Sequence, residues 1–298
     1  LRVLNVPAPH AVFMQWHCAE AAGYDPSPPS TPPHNSQFSI LNSPLVLHIP
    51  HAATAIPEPF RSDFLLDEAA LDDELLKLTD WFTDNLFTDP KLPFPAVTFP
   101  YSRLLVDVER FTDDALELMA KKGMGVFYTR TTTGAPLRPR PTGEAADQLL
   151  RYYAAHQTMI AHSVDAALAR CGQAVVIDCH SFPESALPCH DYASPSDIAF
   201  CIGTDPDHTP QWLTDWLVEA LKSDLGKVAV NTPFAGSYVP ARHYQKDTRV
   251  HSIMIEVNRA LYMDEATGEK TEKFARVQKQ LRSVIRQLAE QLAAAQRL

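Results

Sequence analysis

The chain has no uninterrupted apolar run of 18 residues, no Walker loop and no G-x-G-x-x-G segment, and its five cysteines show no C-x-x-C spacing. The first absence excludes a conventional membrane-spanning helix, and the first residues also lack the charged-then-apolar order of a secretory signal. The glycine motifs are what cradle nucleotide phosphates, so their absence argues against a nucleotide enzyme. An odd number of scattered cysteines (Cys18, Cys171, Cys179, Cys189 and Cys201) fits reduced thiols, not a disulfide framework or a zinc knuckle. Positive charge is also scarce. Against 36 Asp and Glu there are 26 Lys and Arg, a net charge of -10, which argues against a nucleic-acid partner. Cytoplasmic location is therefore expected, with no nucleic-acid or membrane partner, and any anionic substrate must be held by a few local arginines. The oligomeric state is left open.

What the chain does have is enough apolar content, 45%, to fill one sizeable core over 298 residues. Residues 1–40 stand apart: Pro26, Pro28, Pro29, Pro32 and Pro33 among serines and threonines predict a flexible leader, whose His10, His17 and His34 are expected to be solvated. Residues 41–298 read as a single catalytic domain of α/β class, with helices packed on a central sheet. Apolar runs predict strands at 44–49, 96–99, 103–108, 173–179, 197–202, 228–231 and 251–257. Periodicity predicts helices at 63–87, 144–170, 210–225 and 269–296, with left-handed caps at Gly172 and Gly226. The stretch 123–143, rich in Thr, Pro and Arg and without a period, is a candidate substrate-covering loop.

Three strand ends carry chemistry. Val175-Val176-Ile177 runs into Asp178-Cys179-His180, and alternation puts Asp178 and His180 on one face. That pairing suits a metal-binding imidazole oriented by a carboxylate, or a strand end tied to its loops. Leu45 to Ile49 delivers His48 and His51; His48, inside the apolar run, reads as core or supporting, and His51 as the better ligand. Ile253 to Val257 carries Glu256, whose carboxylate in so apolar a strand must pair with Arg259 or a neighbour, or hold a raised pKa suited to a general base. Arg103 can clamp an anion or simply pair with Asp107, which shares its strand parity with Glu109.

With those residues in view, the chain resembles the N-formylglutamate amidohydrolase family, which is related to the zinc carboxypeptidases. The resemblance runs from about Pro44 to Asp264 through Ile49-Pro50-His51-Ala52, Thr79-Asp80-Trp81, Tyr101-Ser102-Arg103 with Asp107 and Arg110, His156, Asp178-Cys179-His180-Ser181, Asn231 with Phe234, Gly236 and Tyr238, Arg242-His243-Tyr244, and Glu256 with Leu261-Tyr262-Met263-Asp264. Each match is short, and it is their order that carries the resemblance.

It implies a three-layer, zinc-carboxypeptidase-like fold with a mixed, mostly parallel sheet covered by helices on both faces. It also implies one zinc ion on His51, His180 and a carboxylate. Where carboxypeptidases place a glutamate three residues after the first histidine this chain has Thr54, so the family pattern nominates Asp80, with Glu58 as an outside candidate. Yet if 63–87 is one unbroken helix, Asp80 lies opposite its apolar face and is solvated, whereas a break at Thr79 would change the geometry. Glu256 matches the catalytic glutamate. His243 or His156 would donate to the oxyanion, Asp178 would support His180, and Arg103, Arg110, Arg242, Asn231 and Tyr238 would hold the substrate. The implied reaction releases formate, or another acid, from N-formylglutamate or a related small N-acyl acidic amino acid.

Glu109 and Ser237 stand where close family members carry asparagine and glycine, and an added carboxylate there would weaken recognition of a dicarboxylate. Two alternatives remain at this stage: a small-peptide metallopeptidase, and a noncatalytic protein that binds anionic metabolites on the same fold.

Overall fold

The computed structural model describes residues 43–92, 94–192 and 197–295, so the leader expected over 1–40 lies outside it. Its strands are β1 (Leu45–Ile49), β2 (Ala96–Thr98), β3 (Ala174–Phe182), β4 (Ile198–Gly203), β5 (Lys227–Val230) and β6 (Val250–Asn258). Its helices are α1 (Glu58–Arg61), α2 (Glu68–Leu78), α3 (Thr83–Phe87), α4 (Gly143–Cys171), α5 (Gln211–Leu221) and α6 (Phe274–Ala295). The sheet order is β2-β1-β3-β6-β4-β5. All neighbours are parallel except β4 and β6, giving the mixed, mostly parallel sheet that the family resemblance implies.

β3 is buried along its whole length, which is why its sequence reads as an apolar run and not as an alternation. Leu45, Leu47, Val175, Ile177, Ile253 and Ile255 face one layer, where α3, α5 and α6 close the core. The α6 stripe of Phe274, Val277, Leu281, Ile285, Leu288 and Leu292 is buried there. On the opposite face Val46, Val176 and Val250 pack against Ile160, Val164 and Ala167 of α4. His48, Asp178, His180 and Glu256 share this second face, at the strand ends. No helix of the described residues is long and apolar enough to cross a membrane.

Four local expectations are corrected. The stretch 63–87 is not one helix. α2 ends at Leu78, Thr79 is extended (φ -75, ψ 136), and Phe82 sits at φ 64 before α3 begins. The reason lies in the tertiary structure: Asp80 N donates to His51 O at 2.9 Å, and the Thr83 hydroxyl donates to Asp80 O, so the break is tied to the end of β1.

Residues 103–108 form turns, not a strand. Leu104, Leu105, Val106 and Val108 are fully buried, but as a packed loop held by Ser102 N to Ala55 O and Asp107 N to Val126 O. Gly172 caps α4 with φ 71, as predicted, whereas Gly226 lies in a turn beyond the end of α5 at Leu221. Finally, 123–143 is no loose cover, because Met124, Val126, Phe127, Tyr128 and Leu137 are core residues packed under the 101–110 loop.

The segment 234–238 crosses the second face at close range. A Cβ on Gly203 would stand 2.2 Å from Gly236 O and 2.3 Å from Met254 Cε. Gly203→Ala is expected to lower stability by roughly 1–3 kcal/mol, the usual cost of overpacking. Denaturant unfolding checks this, and an unchanged midpoint would show that the segment yields freely.

Candidate active site

β1 and β3 end side by side, so His48, His51, Asp178 and His180 emerge within one polar cluster. The loop carrying Asp107 and Glu109 and the break carrying Asp80 close over it. Its charges are buried: Asp107 is 0% exposed, His51 1% and His180 5%.

Asp107 is the anchor. One oxygen, Oδ1, accepts from His51 Nε2 at 2.9 Å and from Glu109 N at 3.1 Å. The other accepts from Arg103 Nη2 at 2.9 Å and from the Tyr128 hydroxyl at 3.0 Å. Burial alone would raise its pKa, but Arg103, His51 and Arg110 hold the carboxyl well below the usual range.

An ionised Asp107 can only accept, so the proton of a neutral His51 sits on Nε2 and its lone pair on Nδ1. That Nδ1 is buried with no hydrogen-bond partner, 3.7 Å from Asp80 Oδ2 and 3.6 Å from Glu109 Oε2. A lone pair aimed between two carboxylates calls for a cation.

His180 makes the same demand. Its Nδ1 lies 2.9 Å from Asp80 Oδ2, while Nε2 lies 3.1 Å from Asp178 Oδ1 and 3.3 Å from Glu109 Oε2. Both ring nitrogens therefore face carboxylate oxygens, which requires either an imidazolium or a metal ion in place of one proton. Burial opposes the charged ring, but Glu109, Asp178 and Asp80 together push its pKa well up. The ligand atoms of His51, Glu109 and His180 lie within 4.8 Å of one another, and so do those of His48, Glu109 and Asp178. Two imidazoles among these carboxylates, one with an orphaned buried nitrogen, fit a divalent cation such as zinc.

Asp80 is not solvated. The break after Thr79 turns it inward, where it is 2% exposed and touches both His180 and His51. Arg259 Nη2 donates to its other oxygen at 3.1 Å and to the Ser181 carbonyl, while Nη1 donates to the Lys77 carbonyl. Arg259 thus serves Asp80 and not Glu256. Glu256, one strand over from His180 in register, has an Oε2 with no partner, and burial lifts its pKa to about 8.

The remaining candidates fall into two groups. Asp178 bonds His48 Nδ1 at 2.9 Å and accepts from Tyr238 N at 2.9 Å, while the Tyr238 ring lies 4.3 Å from that of His48. His156 stands behind His48, Nε2 to Nε2 at 2.9 Å, and burial followed by the His48 charge lowers its pKa to about 3. Arg103 pairs with Asp107, and Arg110 Nε stands 3.6 Å from the same carboxylate.

Arg242 and His243 are not brought to the cluster. Both bind Asp165 on α4, nine residues beyond His156 and so about 13 Å along the helix axis. Asn231 ties the end of β5 to Thr204, and Glu58 is exposed on α1. The residues sequence reasoning underrated are Glu109, Arg259 and Tyr128. Each lies in a loop or just after a strand; the signals were the parity of Glu109 with Arg103 and Asp107, its replacement of a family asparagine, and the placing of Arg259 three residues after Glu256.

Fold and cluster first define a class, an α/β protein with a buried charged centre, fit to hold a cation, at the strand ends of a mostly parallel sheet. The sequence profile of the N-formylglutamate amidohydrolase family matches residues 43–263, and the chain belongs to that family. It is 26% identical over 258 residues to an N-formylglutamate deformylase of Pseudomonas aeruginosa, covering 84% of this chain and 93% of the relative. Its fold is similar to the crystal structure of an N-formylglutamate amidohydrolase from Ralstonia eutropha, with TM-score 0.74, 24% identity and coverage of 85% of this chain and 95% of that one. A gene product of Agrobacterium tumefaciens is a more distant structural relative, at TM-score 0.55 and 16% identity over 85% of this chain and 91% of that one.

The raised Glu256 pKa makes a prediction about stability. A carboxyl whose pKa is higher folded than unfolded stabilises the fold fully below its unfolded pKa, and that contribution is lost as pH rises through the folded value. Metal-stripped protein is expected to lose about 1 kcal/mol per pH unit between roughly pH 5 and pH 8 relative to Glu256→Gln. Parallel denaturation curves for the two proteins across that range would show that Glu256 ionises normally.

Proposed function

We propose that residues 41–298 form one catalytic domain that hydrolyses the amide bond of a small N-formyl or N-acyl amino acid. It would do so with one zinc ion held by His51, Asp80 and His180. The observation that carries this reading is the orphaned His51 Nδ1, fixed by Asp107 behind it and flanked by Asp80 and Glu109. Asp80 is favoured as the carboxylate ligand because Arg259 fixes its far oxygen while its near oxygen reaches toward both imidazoles. Glu109 closes the opposite side.

A bound divalent cation lowers the pKa of a water and polarises a carbonyl, which is the chemistry amide hydrolysis needs. Glu256 takes the proton of the attacking water as the new C–O bond forms. It then returns a proton to the amide nitrogen as the C–N bond breaks, leaving formate and a free amino acid. A carboxyl with its pKa near 8 is suited to both transfers. Arg103 and Arg110, beside Asp107, are positioned to hold the substrate carboxylate. Asp107 and Asp178 fix the two imidazole rings. His156 and Tyr238 support the cluster from behind through His48 and Asp178. N-formylglutamate, which the names of the relatives specify, is the reference substrate.

Formate release from N-formylglutamate and other N-formyl amino acids by chelator-treated protein, with and without zinc, tests this. Zinc is expected to restore turnover, Glu256→Gln to reduce it by about 10²–10⁴-fold with zinc still bound, and His51→Ala to lose stoichiometric zinc. Full activity in the chelated enzyme, or in Glu256→Gln, would overturn the mechanism.

A further inference from the structure

The strand register sets three side chains in one row on the second face: His180 on β3, Glu256 on β6 and Cys201 on β4. The two sides of Glu256 differ sharply. Toward β3 lie His180, His51, Asp80 and Glu109, all polar. Toward β4 lies an aromatic wall. Cys201 Sγ contacts Phe234 O at 3.3 Å, and the Phe234 ring meets Tyr192 edge-on at 5.1 Å and Phe182 at 5.6 Å. His190 stacks on Tyr192 at 4.6 Å.

Among the described residues, two buried polar atoms here lack a partner, Glu256 Oε2 and the Tyr192 hydroxyl. Burial, and then the charge of Glu256, raises the phenol pKa, so it stays a hydrogen-bond donor. Burial followed by Arg103 and Arg259 lowers His190 to about 4, so that ring is neutral. The cations whose charge reaches His190 are Arg103, Arg259 and Lys122. Arg259 is paired with Asp80, Lys122 with Asp191 and the Cys189 carbonyl, and Arg103 with Asp107, on the side where the substrate's own α-carboxylate would lie.

The chemistry fixes how a substrate must lie across this row. The acyl carbon belongs on the polar side, within reach of the water, and Glu256 must reach the leaving nitrogen. The amino acid attached to that nitrogen then extends toward β4. We infer that Phe182, Tyr192, Cys201 and Phe234 receive the side chain of the leaving amino acid, so that the enzyme prefers N-formyl amino acids with aromatic or bulky apolar side chains over N-formylglutamate. A second carboxylate would be buried against this wall without an unpaired cation among the described residues, at the cost of its desolvation. An aromatic side chain gains offset or edge-on ring contacts, and Tyr192 is left to donate to the substrate backbone. The inference rests on the proposed amidohydrolase reading and specifies its leaving group.

The test compares kcat/KM of the zinc-loaded full-length enzyme for N-formylphenylalanine, N-formylmethionine, N-formylglycine and N-formylglutamate, reading the released amino acid. The phenylalanine compound is expected to exceed the glutamate compound by at least about tenfold, the scale of a well-filled apolar pocket. In Phe234→Ala the phenylalanine-to-glycine ratio is expected to fall by roughly tenfold. If that variant does not fold, the wild-type series decides. Preference for N-formylglutamate would overturn the inference and leave the amidohydrolase reading intact, as would a ratio unmoved in folded Phe234→Ala. No turnover of any of the four would overturn both.

Discussion

The structure depends on the pairing of Asp107 with His51, 2.9 Å apart and both essentially out of water. A buried carboxylate is costly unless its lone pairs are met, and here two side chains and a backbone amide meet them besides the histidine. Because Asp107 is thereby locked as an acceptor, His51 presents a lone pair on its other nitrogen. The 123–143 segment supplies Tyr128 and the Val126 carbonyl that hold the Asp107 loop. Arg138 reinforces the same loop with bonds to Tyr128 O and Leu105 O. The segment expected from sequence to cover the substrate buttresses the Asp107 loop and, through it, the orientation of His51.

Asp80 shows the same logic from the other side. The α2–α3 break has a backbone bond to His51 just past β1, an indole bond to Leu76 O and an Arg259 N–H on one oxygen of its acid. Arg259 follows β6 and Asp80 follows α2, so the pair joins elements that are 179 residues apart in the chain. An electrostatic contact of this kind positions a functional group while neutralising it, and it works only once the sheet has assembled.

Glu256 stands in contrast to these paired acids. It shares the face and row of His180, yet Arg259 and Arg103 act on it only through their charge and not by a hydrogen bond, and the neighbours on its β4 side are sulfur and aromatic rings. Desolvation without a fixed partner holds its proton to about pH 8, while Asp80, Asp107 and Glu109 are all shifted down by nearby cations and imidazoles. Environments that push neighbouring carboxyls apart in pKa separate a proton-holding acid from ionised ones, the division of roles the proposed mechanism uses.

The sequence by itself determined the strands and long helices, because apolar runs and the spacing of residues such as Val277, Leu281 and Ile285 report burial directly. It also determined the ordered set of histidines and acids from His51 through Asp178 and His180 to Glu256, since these sit at recognisable strand ends. It could not determine that 103–108 is a buried loop: an apolar run looks the same whether or not a neighbouring strand completes its ladder. Nor could it show that Arg242 and His243 bind Asp165 on α4, or that Glu109 stands among three histidines. Asp80 is the sharpest case, since helical periodicity points it to solvent and the tertiary bond to His51 O turns it inward. Periodicity encodes which residues face a core; which charged groups meet there is set by contacts far apart in the chain, and these exist only in the folded protein.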